Sequence, residues 1–492
     1  MEEFLFLTRV LVVAVYALAF AFLSAFGIHR FWLSRTFNRL KSISPKPKAK
    51  FTILPAVTVQ LPVYNEKYVV KRLIEHACAI DYPKELLEIQ VLDDSTDETV
   101  RISRAAVDHY SALGFNITHL HRRHREGFKA GALEEGLKRA SGTLIAIFDA
   151  DFLPPKDILR KTVDFFTDPE IGIVQARWGH VNRNYSLLTR AQSVLLDGHF
   201  VVEQTTRYLS GLFFNFNGTA GVIRRECIES AGGWQHDTLT EDLDLSYRAQ
   251  LEGWKLVYLK DVMVEAELPV DMNAFKSQQH RWTKGAIQTA RKLLGRILRS
   301  PDLPLRVKVE ALFHLLGAST YLVLMVLIAL IPPTTFIWKS IGWEAAILLN
   351  VFALTSGLMS LISFYVVTLK EVHGAEWVRH AYTIPIAIAL GVGIAVNNSK
   401  AVIEALLGKE SGFERTPKFN VKENSDTWRA TKSYVSPKGV TSLVEILIGT
   451  VLLTQTVLSL YSGSFEWIPF MALLQFGFFY TGFLSIYHGV RT

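Results

Sequence analysis

The sequence predicts an α/β domain, built on a parallel sheet and inserted between transmembrane α-helices. Three observations carry this prediction. The 492 residues are 49% hydrophobic with a mean hydropathy of +0.21, yet 20% are charged, as when soluble and membrane-embedded parts are averaged. Apolar runs of membrane length stand at both ends of the chain and are missing between about 51 and 300. Within that interval, short β-branched runs alternate with helix-length segments, the pattern of a sheet covered by helices. The composition excludes a disordered or collagen-like chain. Cys78 and Cys227 fit no zinc or CxxC spacing and are expected to be buried small residues.

From the N-terminus, Val10 to Ile28 is 19 residues without a charged side chain, close to the ~20 that span a hydrocarbon core. A signal peptide is disfavoured, because Glu2 and Glu3 outweigh Arg9 before the run and no small-residue cleavage site follows it. The flank His29 to Lys50 carries Arg30, Arg35, Arg39, Lys41, Lys46, Lys48 and Lys50 without an acid, and is therefore expected in the cytoplasm. Residues 1–50 form this first unit.

In the last unit, 309–492, apolar runs lie near 309–331, 345–369, 381–406, 440–460 and 468–488. If all five crossed, the loop 407–439 with its seven Lys/Arg would share a side with the N-terminus, against the charge bias. Asn397, Asn398, Lys400 and Glu404 are costly in lipid, so 381–406 is expected to be interfacial or re-entrant. Five spans remain, and the loop falls inside.

The soluble domain, 51–274, shows strand-like runs at Val57 to Leu61, Leu87 to Leu92, Ile117 to Leu120 and Thr143 to Phe148. Ligands bind beyond the carboxyl ends of such strands, and the acids are there: Asp93 and Asp94 end the second run, Asp149 and Asp151 the fourth. Two carboxylates one residue apart can converge on a divalent cation that also holds a diphosphate. A solvated turn explains a bare D-x-D equally well; the second acidic strand end favours a site. His121 to Gly131 gathers bases and glycines that can approach phosphate. A plain solvated loop is the alternative, and nucleic acid is disfavoured because no aromatic platform accompanies the bases.

Thr240, Glu241 and Asp242 open a helix, which by itself reads as an N-cap. Residues 275–308 form an interface unit. Phe275 to Arg299 holds Gln278, Arg281 and Trp282 with Lys276, Lys284, Arg291, Lys292, Arg296 and Arg299, opposite Leu293, Leu294, Ile297 and Leu298. This predicts an amphipathic helix on an anionic leaflet. The formal charge of +7 then resolves into two belts, +7 at 29–50 and +7 at 276–299, around an acidic remainder.

PVYNE at 62–66, DDSTD at 93–97, GFKAGAL at 127–133, DAD at 149–151, TED at 240–242 and QQHRW at 278–282 resemble, in order and spacing, a known family. It is the family 2 glycosyltransferases of the cellulose synthase superfamily, and within it the cellulose-synthase-like β-mannan and glucomannan synthases. The likeness covers about 55–300 and extends to Phe413–Lys418, which is similar to the gating-loop region of plant mannan and xyloglucan-backbone synthases. Each motif alone is common; the ordered set is specific.

The resemblance implies a GT-A fold, Rossmann-like and nucleotide-sugar-binding, on the cytoplasmic side of a cell or Golgi membrane. It implies that Pro62, Tyr64, Glu66, Asp93 and Asp94 hold the nucleoside side of the donor, with Lys129, Gln278 and Arg281 near its diphosphate. Asp149 and Asp151 would hold Mg²⁺ or Mn²⁺, and Asp242, beside Thr240 and Glu241, would be the general base. Trp282 would stack on the acceptor, and Arg415, Thr416 and Lys418 would belong to the gating loop. The expected product is a β-1,4-linked polymer made from GDP-mannose or UDP-glucose and exported through the chain's own spans. Transfer of one sugar to a lipid is the alternative, and a non-enzymatic nucleotide-binding transporter the contrasting class. Trp338, Trp343, Trp377 and Trp467 would line a channel mouth or, more simply, form an interfacial belt.

Overall fold

The first three strands extend past their apolar runs, and the fourth falls one residue short at each end. In the computed structural model, which describes residues 2–340, 344–410, 412, 415–421, 440–461, 465 and 468–490, β1 (Val57–Val63), β2 (Leu87–Asp93), β3 (Asn116–His121) and β4 (Leu144–Ile147) occupy the four expected places. Three further strands complete the sheet: β5 (Ile171–His180), β6 (Gly221–Arg224) and β7 (Lys255–Ala266). The order is β3-β2-β1-β4-β6-β5-β7.

The parallel expectation holds only for the first half. β1 to β4 run parallel, whereas β6 is antiparallel to both β4 and β5. The cause is its point of entry: Gly221 pairs with Ile147, so β6 begins at the carboxyl end of β4 and must run back along it. The segment before β6 consequently crosses the acidic strand ends. There Ala220 donates to the Ile147 carbonyl at 2.9 Å and the Asp149 amide donates to Thr219 Oγ1 at 2.9 Å. Cys78 and Cys227 are free and buried, as expected.

The first helix runs Glu2–Leu40, well beyond the expected span. At ~1.5 Å per residue it is about 58 Å long, so its basic second half projects past a hydrocarbon core of ~30 Å. Phe37 is buried there with Leu188, Val201 and Phe364, joining the sheet domain to the bundle. Among the described residues four helices are long and apolar enough to cross a membrane: Glu3–Leu40, Leu305–Trp338, Thr441–Tyr461 and Ile468–Gly489. The run at 345–369 lies in the helix Glu344–His373, of which side chains are described from 355. The run at 381–406 is a pair, Thr383–Gly393 and Ala395–Leu406, bent by 42°, a shape that suits a broken span or a re-entrant element. Trp338 meets Tyr16 edge-on within the bundle, and Lys370 lies over Trp377; Trp343, Trp467 and most of 407–439 are outside the described residues.

The helix Met272–Arg299 turns several of its bases towards carboxylates of the protein itself. Lys276 pairs with Glu445 at 2.5 Å, Lys284 with Glu404 at 3.2 Å, Lys292 with Asp244 at 3.0 Å and Arg296 with Glu252 at 2.6 Å. Its apolar stripe, Leu293 and Ile297, packs on Leu243, Tyr247 and Leu315. The helix is thus a strut between the sheet domain and the helical bundle.

This packing has a measurable consequence. Glu445→Ala strands the buried Lys276 ammonium, which costs about 3–5 kcal/mol and lowers the thermal midpoint in detergent. The double variant Lys276→Met/Glu445→Leu should recover most of that loss, since an apolar pair can replace a buried ion pair. A single-variant midpoint equal to wild type would refute the strut.

Candidate active site

One cavity opens at the carboxyl ends of β1, β2 and β4, and it is lined by every predicted site residue except Asp93. Asp93 is fully buried, accepting from the Ser95 amide and lying 2.8 Å from His119 Nε2. Those bonds spend it on shaping the turn after β2, which corrects its expected place beside the donor. Asp94 does reach the cavity. Arg122 grips it through Nε at 2.7 Å and Nη2 at 2.6 Å. Nearby, the Arg125 guanidinium lies 3.5 Å from the centre of the Tyr64 ring, a cation–π contact. The basic loop 121–131 is therefore organised on Asp94 and Tyr64 rather than left as a solvated patch.

Beyond β4 the acids converge. Lys129, from the first turn of the helix Phe128–Arg139, stands 2.6 Å from Asp149, 3.8 Å from Glu241 and donates to the Gly218 carbonyl at 2.9 Å. Asp151 takes Lys418 at 2.7 Å, and Glu66 accepts two bonds from Arg415 at 2.9 and 2.7 Å. Residues 415–421 thus lie across the cavity. Their seat includes Glu267, which accepts from the Phe419 amide at 2.9 Å, and Arg72, which donates to Asn420. Thr416 is buried in the wall with its hydroxyl unbonded among the described residues.

Thr240 stands at the N-cap of the helix Glu241–Leu251, but its side chain makes no capping bond. The simple N-cap reading therefore fails. The Thr240 backbone is instead pressed against the strut: a Cβ on Gly285 would come within 2.5 Å of Thr240 Cγ2 and 2.9 Å of its amide nitrogen. On the same helix Gln278, Arg281 and Trp282, spaced i, i+3 and i+4, line the cavity together. Arg281 faces the charges of Glu241, Asp149, Asp242 and Asp151.

Enclosure decides the electrostatics. Burial, reinforced by Glu241, pushes the Asp242 carboxyl up to about 7 against the pull of Lys129. Burial likewise raises Asp149, opposed by Lys129, and takes Glu66 to about 7 against Arg415. Asp242 is thus a carboxylate of unusual basicity, open on one side to the cavity.

Sequence reasoning missed the segment Asn215–Ala220. Asn217 and Gly218 line the cavity between Lys129 and Asp242, and Gly218 has φ +79. A Cβ there would lie 3.0 Å from Asp242 Oδ2 and 3.3 Å from Lys129 Nζ, so glycine is what admits both charges. The available signal was the Asn-Gly pair between apolar stretches. Trp178 was also missed; its ring lies 6.4 Å from that of Trp282.

Comparison with known proteins agrees with this geometry. Residues 55–285 match the family described as "Glycosyltransferase like family 2". The chain is 41% identical over 300 residues to glucomannan 4-beta-mannosyltransferase 1 of Oryza sativa subsp. japonica, covering 59% of this chain and 58% of that protein. It is 42% identical over 303 residues to glucomannan 4-beta-mannosyltransferase 2 of Arabidopsis thaliana, covering 58% and 57%. The chain thus matches less than two thirds of these relatives' length. Among solved structures it is similar to the mannosyltransferase PcManGT of Pyrobaculum calidifontis, in complex with GDP-Man and Mn²⁺. The TM-score is 0.52 at 22% identity, over 74% of this chain and 100% of that one. Residues 55–285 thus form a GT-A domain that matches the family 2 glycosyltransferases.

Proposed function

We propose that the chain is an inverting β-1,4-mannan or glucomannan synthase, transferring mannose from GDP-mannose to a growing glycan at a membrane. The observation that carries this is the joint placement of Asp149, Asp151, Lys129, Arg281, Asp242 and Trp282 in one cavity. Preference for mannose and guanosine rests on the relatives' names, as does the polymeric product. The membrane helices at both ends support a cytoplasmic domain held at a bilayer, with export through the bundle.

In this reading the acceptor is stacked on Trp282 with its hydroxyl towards Asp242. Its oxygen attacks the anomeric carbon, the proton passes to Asp242, and the bond to the diphosphate oxygen breaks on the opposite face. A single in-line displacement turns an α-linked donor into a β-linked product. A positioned base of this kind gains typically ~10² to 10⁴ in rate. Lys129 and Arg281 stabilise the charge gathering on the leaving group.

Asp149 and Asp151 suit Mg²⁺ or Mn²⁺, since hard carboxylate oxygens are what those ions take. Asp149 and Asp151 would be the residues that hold the ion, with diphosphate oxygens as its further ligands. When bound, the ion neutralises the departing diphosphate. Lys418 now balances Asp151, and Lys129 balances Asp149. Arg415, Thr416 and Lys418 then act as a cover that exchanges these carboxylates for the donor.

Incubation of the detergent-purified protein with labelled GDP-mannose and UDP-glucose tests the reading. High-mass, β-mannanase-sensitive label is expected; a labelled lipid, or no product with either donor, would refute it.

Asp242→Asn should abolish transfer while donor affinity persists. For wild type, kcat/KM should rise with pH through about 7, as the carboxyl loses its proton. The sign for stability is opposite. Because folding raises this pKa, the folded state binds the extra proton, and stability falls as pH climbs from the unfolded value to about 7. Asp242→Asn is therefore expected to melt higher than wild type at pH 8; a lower midpoint would argue against the strain assigned to this carboxylate.

Calorimetric titration with Mn²⁺ and GDP should show Asp149→Asn and Asp151→Asn losing at least about tenfold in affinity, as each removes a ligand. Lys418→Met should bind Mn²⁺ alone more tightly than wild type, since Asp151 loses its competing cation. Unchanged affinities would remove these residues from the metal site.

A further inference from the structure

Asn217 lines the cavity where the transferred sugar must lie, and its amide is held by two partners from one helical segment. That segment joins the π-helical turn Gly198–Glu203, which carries His199, to the helix Gln204–Leu209, which Gln204 opens; Leu187–Asp197 precedes them. Such turns recur at functional sites. Gln204 Nε2 donates to the Asn215 carbonyl at 2.8 Å and to Asn217 Oδ1 at 2.8 Å, which fixes the orientation of the Asn217 amide. Its Nδ2 then faces His199 Nε2 at 3.2 Å.

This settles the tautomer. His199 Nε2 accepts, so Nδ1 carries the proton and donates to Glu203 Oε2 at 3.3 Å. Glu203 is held well below the usual carboxylate range by Arg207, His199 and Arg30, despite its burial. Arg207 continues the chain, donating to Glu310 at 2.8 Å, and Glu310 meets His29 of the first membrane helix at 2.7 Å. An unbroken line of polar contacts therefore runs from the cavity to that helix.

One N–H of the Asn217 amide is used on His199, and the other has no partner among the described residues. Lys129 donates to the Gly218 carbonyl, and Asp242 lies against Gly218. Under the proposed displacement the anomeric carbon sits between the diphosphate near Lys129 and the hydroxyl near Asp242, which is beside Asn217. We propose that Asn217 is a specificity residue for the transferred hexose: its second amide N–H donates to a ring hydroxyl, and His199 on the π-helical turn sets its direction. The inference rests on the glycosyltransferase reading. His199 acts through Asn217 and is a positioning residue.

Asn217→Asp keeps the outline and removes both N–H groups. Its kcat/KM with GDP-mannose should fall by roughly ten- to a hundredfold, and its selectivity over GDP-glucose should collapse. His199→Phe should move both quantities the same way. His199→Gln, whose amide oxygen can accept from Asn217, should restore part of each. Affinity of the His199 variants for GDP, measured by calorimetry, should stay within about twofold, since His199 is not among the residues that line the cavity.

Donor hydrolysis by water without acceptor should fall in parallel with transfer. If transfer alone falls and hydrolysis persists, Asn217 serves the acceptor and the inference is overturned; unchanged selectivity overturns it as well. If Asn217→Asp fails to bind GDP through misfolding, the two His199 variants decide the matter by the same measures. Should wild type use only uridine donors, UDP-glucose and UDP-mannose replace the guanosine pair. A wild type that turns over no nucleotide sugar would instead refute the glycosyltransferase reading itself.

Discussion

Asp149, Asp151, Glu241 and Asp242 share one enclosed cavity, and their mutual repulsion is the constraint that organises the molecule. An unmatched carboxylate in such surroundings costs several kcal/mol, so each must be balanced or give up its charge. Lys129 balances Asp149, Lys418 balances Asp151, and Arg281 stands among all four. Asp242 is the least compensated. Its pKa rises towards neutrality, which is the property a general base requires. The same electrostatic deficit that burdens the fold therefore makes this carboxylate the most basic of the four.

The sheet exists in a form that delivers these charges to one place. A wholly parallel sheet would bring Asp94 and Asp149 to one edge but leave Asp242 and Asn217 elsewhere. Because β6 enters beside Ile147 and runs back, residues 215–220 must cross the acidic strand ends. Gly218, with its positive φ and no side chain, lets that crossing pass between Lys129 and Asp242. The antiparallel strand is thus the device that closes the cavity on its third side.

How much of this was legible in the sequence follows from how local each signal is. The first four strands and Asp149, Asp151, Asp242, Gln278, Arg281 and Trp282 were readable because apolar runs end at acids, or because ordered motifs mark them. β6 was not, since Gly221–Arg224 is too short to show a period. β5 was hidden because Gln175, Arg177 and His180 break the apolar pattern; Gln175 is nonetheless fully buried, its side chain bonded to the backbone of 217–220. Asp93 was misjudged because adjacent carboxylates look alike in sequence, while the strand sends one inward to His119 and the other to the cavity. Asn217 depends on partners 13 and 18 residues away, which no local pattern announces.

The basic belt at 276–299 shows how composition gives the bases but not their partners. Read alone, a helix with seven Lys/Arg and no acid calls for an anionic surface. The anions come from within the chain: Glu445 and Glu404 from the membrane bundle, Asp244 and Glu252 from the catalytic domain. Lys276 and Lys284, both buried, clamp the helix on either side of Gln278, Arg281 and Trp282. Moving either ammonium out of register would strand a buried charge at a cost of about 3–5 kcal/mol. A slip of one residue would also rotate Trp282 by about 100° away from the cavity. The ion pairs therefore fix the position of the Trp282 ring relative to Asp242, and they do so by tying its helix to the bundle on one side and to the sheet domain on the other.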